Sequence, residues 1–161
     1  MILVVTGVAG SGKSTVGRAA AARLGWRFVD ADDLHDAAAI ARIEAGLALD
    51  DEMRGPWLRR VREAIDRTIA SDGSAVIACS ALKERYRQLL AGNAPQVRFV
   101  FLAADDGLLR ERLTHREGHF AGPHLLASQL ADLEPPAYGL HLDASRPVEE
   151  LAALIADYAR A

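Results

Sequence analysis

The amino-acid sequence predicts an α/β fold in which a parallel sheet of five strands is covered by helices on both faces. Three observations carry this prediction. Short apolar segments alternate with amphipathic segments, which is the pattern of parallel strands joined by crossover helices. A glycine-rich segment joins the first apolar run to the first helix. The 161 residues, half of them hydrophobic and a quarter charged, fit one domain spanning residues 1–161.

Local patterns predict the elements in chain order. Strands are predicted at residues 1–5, 26–30, 74–80, 97–103 and 139–144. Helices are predicted at residues 14–24, 32–46, 56–70, 82–90, 105–114 and 147–159. Gly25 ends the first helix, Asp105 is a candidate N-cap, and Pro147 suits the first position of the last helix. The helix at residues 56–70 has an apolar residue at every fourth position, namely Trp57, Val61, Ile65 and Ile69.

One segment interrupts this alternation. The stretch HREGHFAGPHLL combines glycines, histidines and a proline. Loops of this kind close over substrates in many enzymes, so we predict a lid at about residues 115–125. The alternative is a plain surface connection.

The glycine-rich segment VVTGVAGSGKST, residues 4–15, matches the spacing G-x-x-x-x-G-K-[ST] through Gly7, Gly12, Lys13 and Ser14. In such a loop, backbone N–H groups at a helix N-terminus form a concave site that favours an anion. We predict a triphosphate site in which Lys13 contacts the β- and γ-phosphates and the Ser14 hydroxyl is a ligand of Mg²⁺. The alternative is an ordinary glycine-rich turn. The predicted nucleotide-binding residues of the loop are Gly7, Ala9, Gly10, Ser11, Gly12, Lys13, Ser14 and Thr15.

Polar side chains follow the ends of the next two strands, in DADDLH and CSALKERYR. Ligands of an open parallel sheet bind outside the carboxyl ends of its strands. We therefore expect five side chains near the γ-phosphate: Asp30, Asp32, His35, Lys83 and Arg87. Asp32 is the candidate acceptor of a substrate hydroxyl's proton, and Asp30 is the candidate holder of the metal or its bound water. Either carboxylate could instead be a helix N-cap.

Charge and cysteine content exclude several function classes. The net charge of −3 gives no basic surface for nucleic acid, so no nucleic-acid partner is predicted. Cys79 is the only cysteine, which excludes an intramolecular disulfide and suits a reducing compartment. No apolar stretch is long enough to span a bilayer, and the apolar N-terminus lacks the features of a signal peptide. We expect a cytoplasmic protein with no membrane partner.

Five segments together resemble the gluconate kinase (gluconokinase) family of P-loop sugar-acid kinases: GVAGSGKST, DADDLH, LDDEMRGPWL, CSALKERYR and GHFAGPHLLASQLADLEPP. More distantly, the layout is similar to shikimate kinase and the nucleoside-monophosphate kinases. The resemblance implies a three-layer P-loop kinase fold with strand order 2-3-1-4-5 and a small lid. It also implies ATP-dependent phosphorylation of D-gluconate to 6-phospho-D-gluconate, with Mg²⁺, by a homodimer.

The resemblance further implies roles for residues, carried over by position. The implied catalytic residues are Lys13, Asp32 and Arg116, the last from the lid. The implied substrate-binding residues are Asp32, His35, Arg54, Ser80, Lys83, Arg87 and His119. The implied nucleotide contacts outside the loop are Arg112, Arg146 and Pro147. Arginine suits a sugar acid because it can meet a carboxylate with two parallel hydrogen bonds. Arg54 and Arg87 could equally form surface ion pairs, and Ser80 could cap the following helix.

Four residues depart from the pattern of the family. Ala31, Asp36, Ala39 and Met53 stand where glycine, proline, asparagine and aspartate are usual. These positions border the acceptor pocket and leave the phosphate loop unchanged, so they question the acceptor rather than the nucleotide. The alternatives are a kinase for another small sugar acid or hydroxy acid, and a nucleotide-binding regulatory module without catalysis.

Overall fold

A computed structural model describes residues 1–115 and 123–161. Within them, five parallel strands form one sheet: β1 Ile2–Thr6, β2 Arg27–Asp30, β3 Ala75–Ala78, β4 Val97–Ala103 and β5 Leu140–Asp143. The strand order is β2-β3-β1-β4-β5. The predicted fold class and strand order are therefore confirmed.

Strand β1 forms the centre of the sheet. Its first residue, Ile2, pairs with Ala75 of β3 on one side and with Val97 of β4 on the other. Every residue of β1 and β3 is buried. Strands covered on both faces carry continuous apolar runs, which explains why the two segments show no polar alternation.

Helices pack on both faces of the sheet. The helices of the described residues are α1 Lys13–Leu24, α2 Ala37–Glu44, α3 Asp51–Ala70, α4 Glu84–Ala91, α5 Asp106–Thr114, α6 Pro123–Asp132 and α7 Val148–Arg160. Alternate residues of β1 point into separate cores. Ile2 and Val4 pack in a core with residues of α3 and α4, whereas Leu3 and Val5 pack in a core with residues of α1 and α7. None of the described helices is both long enough and apolar enough to cross a membrane.

Two predicted helices differ in the structure because aspartates cap them elsewhere. The helix predicted at residues 32–46 is a 3-10 turn at Ala31–Leu34 followed by α2, whose first turn Asp36 caps through Ala39 N at 2.8 Å. Helix α3 begins at Asp51 rather than near residue 56, because Asp50 accepts a hydrogen bond from Met53 N at 2.8 Å. Pro56 lies inside this helix, where its missing N–H leaves one helical bond unmade.

Two further predictions concern the segment before β5. The predicted N-cap Asp105 is confirmed, since it accepts a hydrogen bond from Leu108 N at 2.8 Å. Helix α6 was not predicted, because its first four residues, 123–126, were assigned to the irregular stretch. Of the lid predicted at about residues 115–125, residues 116–122 lie outside the described residues, so the lid stays a prediction.

Candidate nucleotide and acceptor site

One cavity of about 440 Å³ lies at the carboxyl ends of the central strands, a volume usual for small-molecule sites. The phosphate loop, residues 7–15, contributes to its wall, as do the residues that follow β2 and the first turn of α3. Its polar lining side chains are Lys13, Ser14, Thr15, Arg18, Asp30, Asp32, Asp33, His35, Arg54, Ser80, Tyr86 and Gln129. Parallel strands thus bring segments that are distant in the sequence to one place.

The phosphate loop has a shape that fits a chain of phosphates. A Cβ at Gly7 would lie 2.6 Å from Ser11 Oγ and 3.0 Å from Leu102 O, so a larger residue does not fit there. Gly12 has φ 91°, a left-handed conformation that favours glycine. The first hydrogen bond of α1 runs from Val16 N to Gly12 O at 2.9 Å. The amides of the first turn therefore have no acceptor inside the helix and can bind an anion.

One side chain of the loop and one next to it fit Mg²⁺. Ser14 Oγ donates a hydrogen bond to Asp30 Oδ2 at 2.7 Å, and Asp30 Oδ1 accepts one from Asp32 N at 3.1 Å. Hydroxyl and carboxylate oxygens are the ligands that Mg²⁺ prefers, together with phosphate oxygens and water. Over residues 1–115 and 123–161, no cluster of acidic, histidine or cysteine side chains could hold a metal ion alone. The pair suits a metal that a nucleotide also binds.

Asp32 and His35 form the wall next to this pair. The Asp32 side chain is 67% exposed and His35 is 6% exposed, with Asp32 Oδ1 4.0 Å from His35 Nε2. Burial lowers the pKa of His35 below 6.5, against the opposing charge of Asp32, so the ring is neutral at neutral pH. It stacks on Trp57 with ring centroids 4.3 Å apart. Among the described helices Asp32 caps none, so its carboxylate is accessible to a ligand.

Arg54 is held at the cavity wall by two groups. Its Nη1 donates to Asp132 Oδ2 at 2.8 Å and to the Tyr86 hydroxyl at 3.2 Å.

Lys83 Nζ lies 3.3 Å from Asp132 and 3.6 Å from Asp51. Burial raises the pKa of Asp132, but Arg54 and Lys83 outweigh it and hold this pKa below its usual value. Hydrogen bonds from Tyr86 and Arg85 lower the pKa of Asp51 to about 2. Both carboxylates are therefore ionised at neutral pH.

Comparison with known proteins identifies the family of the chain. A family model described as shikimate kinase matches residues 9–134. The gluconokinase of Gluconobacter oxydans (strain 621H) is 43% identical over 83% of this chain and 75% of its own length. The thermosensitive gluconokinase of Escherichia coli (strain K12) is 40% identical over 83% of this chain and 71% of that protein. This chain belongs to the gluconokinase family of P-loop kinases.

Solved structures agree with membership of the gluconokinase family. A gluconokinase from Sinorhizobium meliloti 1021 superposes with a TM-score of 0.86 at 38% identity, covering 98% of this chain and 90% of that one. A sugar kinase from Janibacter sp. HTCC2649 gives a TM-score of 0.91 at 39% identity, covering 98% and 92%. The APS kinase of Mycobacterium tuberculosis, at 21% identity and a TM-score of 0.73 over 99% of this chain and 97% of that one, shares the fold. The resemblance predicted from five segments is confirmed.

Some of the residues predicted for the acceptor pocket of this gluconokinase-family chain line the cavity, and others do not. Asp32, His35, Arg54 and Ser80 line the cavity. Lys83 is not among the lining residues; it stands behind Arg54 and pairs with the same carboxylate, Asp132. His119 lies outside the described residues.

Arg87 does not reach the cavity, which corrects its predicted role in binding the substrate. The residue is 1% exposed, and its guanidinium donates to Ala81 O at 3.0 Å, Leu82 O at 3.1 Å and Glu134 O at 2.8 Å. It also pairs with Glu84 at 2.8 Å. Because all three of its nitrogens already donate to protein groups, Arg87 joins the segment before β5 to α4 instead.

The residues predicted for the nucleotide lie around the other end of the loop. Arg112 donates to Gly10 O at 3.3 Å and Ser11 O at 3.1 Å, and also to Ala144 O at 2.7 Å. It thus joins the phosphate loop to the β5–α7 connection, which contains Arg146 and Pro147. Arg146 is exposed and pairs with Glu150 at 3.2 Å, and Pro147 is the N-cap of α7. The predicted lid residue Arg116 lies outside the described residues.

Two of the polar site residues that were not predicted belong to one helix. Gln129 Oε1 accepts a hydrogen bond from Ala9 N at 2.7 Å, and Asp132 binds Arg54. Both lie on α6, with Leu125 four residues before Gln129. The spacing 125, 129 and 132 places the three residues on one helical face, and it is the signal that could have indicated them.

Proposed function

We propose that this member of the gluconokinase family transfers the terminal phosphoryl group of ATP to D-gluconate, giving ADP and 6-phospho-D-gluconate. One observation carries the proposal: a single cavity joins the phosphate loop to Arg54, whose Nε and Nη2 have no hydrogen-bond partner among the described residues. The relatives named gluconokinase support the choice of acceptor.

Arg54 supplies the recognition of the acid. Asp132 and Tyr86 occupy Nη1, so the edge formed by Nε and Nη2 is left for a carboxylate, which can accept two parallel hydrogen bonds there. The surrounding cluster has three cations, Arg54, Lys83 and Arg85, against two carboxylates, Asp51 and Asp132. The net charge of one positive unit matches an acceptor with a single carboxylate.

The other side chains serve the transfer of the phosphoryl group. Lys13 and the loop amides hold the phosphates. Ser14 and Asp30 would hold Mg²⁺, which supplies positive charge to phosphate oxygens when it is bound. Asp32 accepts the proton of the attacking hydroxyl as the new oxygen–phosphorus bond forms and the bond to ADP breaks. The neutral ring of His35 can donate a hydrogen bond to a substrate hydroxyl or accept one from it.

Further parts of the proposal extend the resemblance. Arg146 and Pro147 contact the adenine end of the nucleotide, and Arg112 supports the loop. Arg116 and His119 stay predicted contacts of the phosphates and the acceptor. The protein acts as a cytoplasmic homodimer without nucleic-acid or membrane partners, an expectation that the net charge of −3 supports for nucleic acid.

A second acceptor class is favoured by one wall of the cavity. Ile40 and Ile43 of α2 line it together with Leu49, and Ala39 of α2 is buried without a polar side chain. Hydroxyl groups against such a wall lose hydrogen bonds to water and gain none from the protein. An acid with fewer hydroxyl groups is therefore the second candidate acceptor.

A coupled assay of ADP release tests the proposal over a panel of gluconate, related aldonates, shikimate and nucleoside monophosphates. We expect the highest kcat/KM with gluconate. Fastest turnover of another acid would favour the second candidate. Nucleotide binding by calorimetry without turnover of any acceptor would identify a regulatory module and refute the kinase assignment.

A further inference from the structure

We propose that Gln129 is a positioning residue for the phosphoryl transfer. Its side-chain oxygen fixes the edge of the phosphate loop, and its Nε2 group is a hydrogen-bond donor for the ligand oxygens that meet there. The inference rests on the proposed function, because it assigns the residue between the nucleotide and acceptor parts of the same cavity.

The contact that carries the proposal joins α6 to the loop. Gln129 Oε1 accepts a hydrogen bond from Ala9 N at 2.7 Å across 120 residues of sequence. Because a backbone N–H can only donate, the oxygen of the carboxamide must face the loop. The Nε2 group then has no partner among the described residues, although Gln129 lines the cavity. A ligand in the cavity is the available acceptor for it.

This contact sets one boundary of the phosphate site. With Ala9 N–H taken by Gln129, and Ser11 N–H donating to Val8 O at 3.1 Å, these two loop amides are used within the protein. Gly10 and Gly12 line the same cavity. A neutral amide at that boundary can donate to a phosphate oxygen without neutralising the acid-binding charge of Arg54.

Anchors on both sides of Gln129 hold its helix in place. Leu126 is 3% exposed and packs with Val8 of the loop and Leu109 of α5. At the end of α6, Asp132 pairs with Arg54 at 2.8 Å. Gln129 therefore extends from a helix fixed to the loop and to the acceptor pocket. Displacements of about 1 Å in such a group can lower a rate by about 100-fold.

The base of this helix is fixed as well. Glu134 N donates to Leu82 O at 2.9 Å, and Glu84 N donates to Glu134 Oε2 at 2.7 Å. The bond from Glu84 N caps the N-terminus of α4, the helix that carries the site residue Tyr86. None of these contacts involves the Gln129 side chain, so the effect of its substitution on the rate can be separated from unfolding.

The test compares Gln129→Leu and Gln129→Glu with the wild type, using Gln88→Leu as the matched control because Gln88 is exposed on α4. Leucine removes both functions of the carboxamide. Glutamate keeps an oxygen for Ala9 N–H but replaces the donor by a negative charge. We expect both variants to lower kcat by about 10- to 100-fold, with the KM for ATP in the leucine variant within a factor of about three of the wild type.

Two results would overturn the inference. Gln129→Leu with wild-type kcat would show that the residue positions nothing. Gln129→Glu with wild-type kcat, combined with a lowered Tm and weaker binding of a non-hydrolysable ATP analogue in Gln129→Leu, would reduce its role to holding the loop. Failure of the proposed function is visible separately in the wild type, as absent turnover of gluconate; the variants are then compared on the best acceptor of the panel or, if none is used, on acceptor-free hydrolysis of ATP.

Discussion

At the scale of single residues, Asp32 and Asp30 show how two neighbouring carboxylates take different roles. Asp30 uses both oxygens inside the protein, toward Ser14 and the backbone of Asp32. Asp32 is exposed in the cavity and pairs only loosely with His35, at 4.0 Å. A carboxylate that can accept a proton must be accessible to the reacting hydroxyl, and Asp32 alone of the two meets that requirement.

Replacing Asp32 by asparagine should therefore lower kcat by about 10²- to 10⁴-fold, because the amide cannot take the hydroxyl proton. Binding of ATP and Mg²⁺, measured by calorimetry, should stay close to that of the wild type. Asp157→Asn, on the exposed face of α7, serves as the control for the loss of one negative charge. Unchanged turnover of Asp32→Asn would remove Asp32 from the mechanism.

Arg54 should affect the acceptor more than the nucleotide. Arg54→Ala removes the paired hydrogen bonds to the carboxylate, worth about 1.5–3 kcal/mol for a charged partner, so the KM for gluconate should rise by about 10- to 100-fold. Arg54→Lys keeps the charge but not the two-pronged geometry and should be intermediate. A purely structural Arg54 would instead give a lower Tm with normal KM values in steady-state kinetics.

His35 makes stability depend on pH. The unfolded chain binds a proton on this ring near pH 6.5, whereas burial lowers the pKa of the folded ring. The unfolded state therefore binds more protons as the pH falls through 6.5, and the free energy of unfolding decreases until the folded pKa is reached. Urea unfolding of His35→Gln should show a flatter pH dependence in this range. The exposed His124→Gln should keep the wild-type slope, and identical slopes for all three proteins would contradict the burial argument.

At the scale of elements, the caps decide where the site residues lie. Asp50 caps α3 and so extends it by one turn beyond the predicted start, which places Arg54 on a helix rather than in a loop. Asp36 caps α2, so that helix begins at Ala37 and not near residue 32 as predicted. These two aspartate caps thus fix where the two helices of the acceptor wall begin.

Loss of the α3 cap should weaken the fold and the acceptor pocket together. Asp50→Ala removes the bond to Met53 N and should lower the free energy of unfolding by about 1 kcal/mol in urea titrations. Because Arg54 lies in the uncapped turn, the KM for gluconate should rise while that for ATP does not. Asp50→Asn retains a capping oxygen and is expected to behave as the wild type; equal losses in both variants would mean that the charge, rather than the cap, matters.

The sequence predicted those elements whose signals are local. The glycine spacing around Gly7 and Gly12 and the apolar runs of the central strands were sufficient for the loop and the sheet. Local sequence patterns failed where a contact between distant residues determines the role of a side chain. Arg87 has the chemistry of a substrate ligand, but Glu84 and three backbone carbonyls take its donors. Gln129 reaches the loop from a helix 120 residues away, a contact that no local pattern contains.

At the scale of the whole molecule, the sheet encloses its only thiol. Cys79 follows β3, is 1% exposed, and its burial raises the pKa of the thiol to about 12. The thiolate is the reactive form, so the folded protein should resist alkylation. Labelling at this position therefore measures how often the fold opens.

We expect iodoacetamide to leave the native protein unmodified at about pH 8, where a free cysteine of ordinary pKa near 8.5 reacts. One thiol should become reactive in urea, as measured by mass spectrometry, and ATP with Mg²⁺ should shift that transition to higher urea because ligands stabilise the state that binds them. Cys79→Ser is the blank. Rapid labelling of the native protein would contradict the buried position.

The contacts of Arg112 have a consequence for how this enzyme family can diversify. Arg112 bonds Gly10, Ser11 and Ala144, and it thereby holds the phosphate-loop side of the cavity in place. The acceptor wall, on the chain from His35 to Arg54, shares none of those bonds. Substitutions in that stretch, natural or selected in the laboratory, can therefore change which acid is bound. The contacts that hold the ATP-binding loop stay the same.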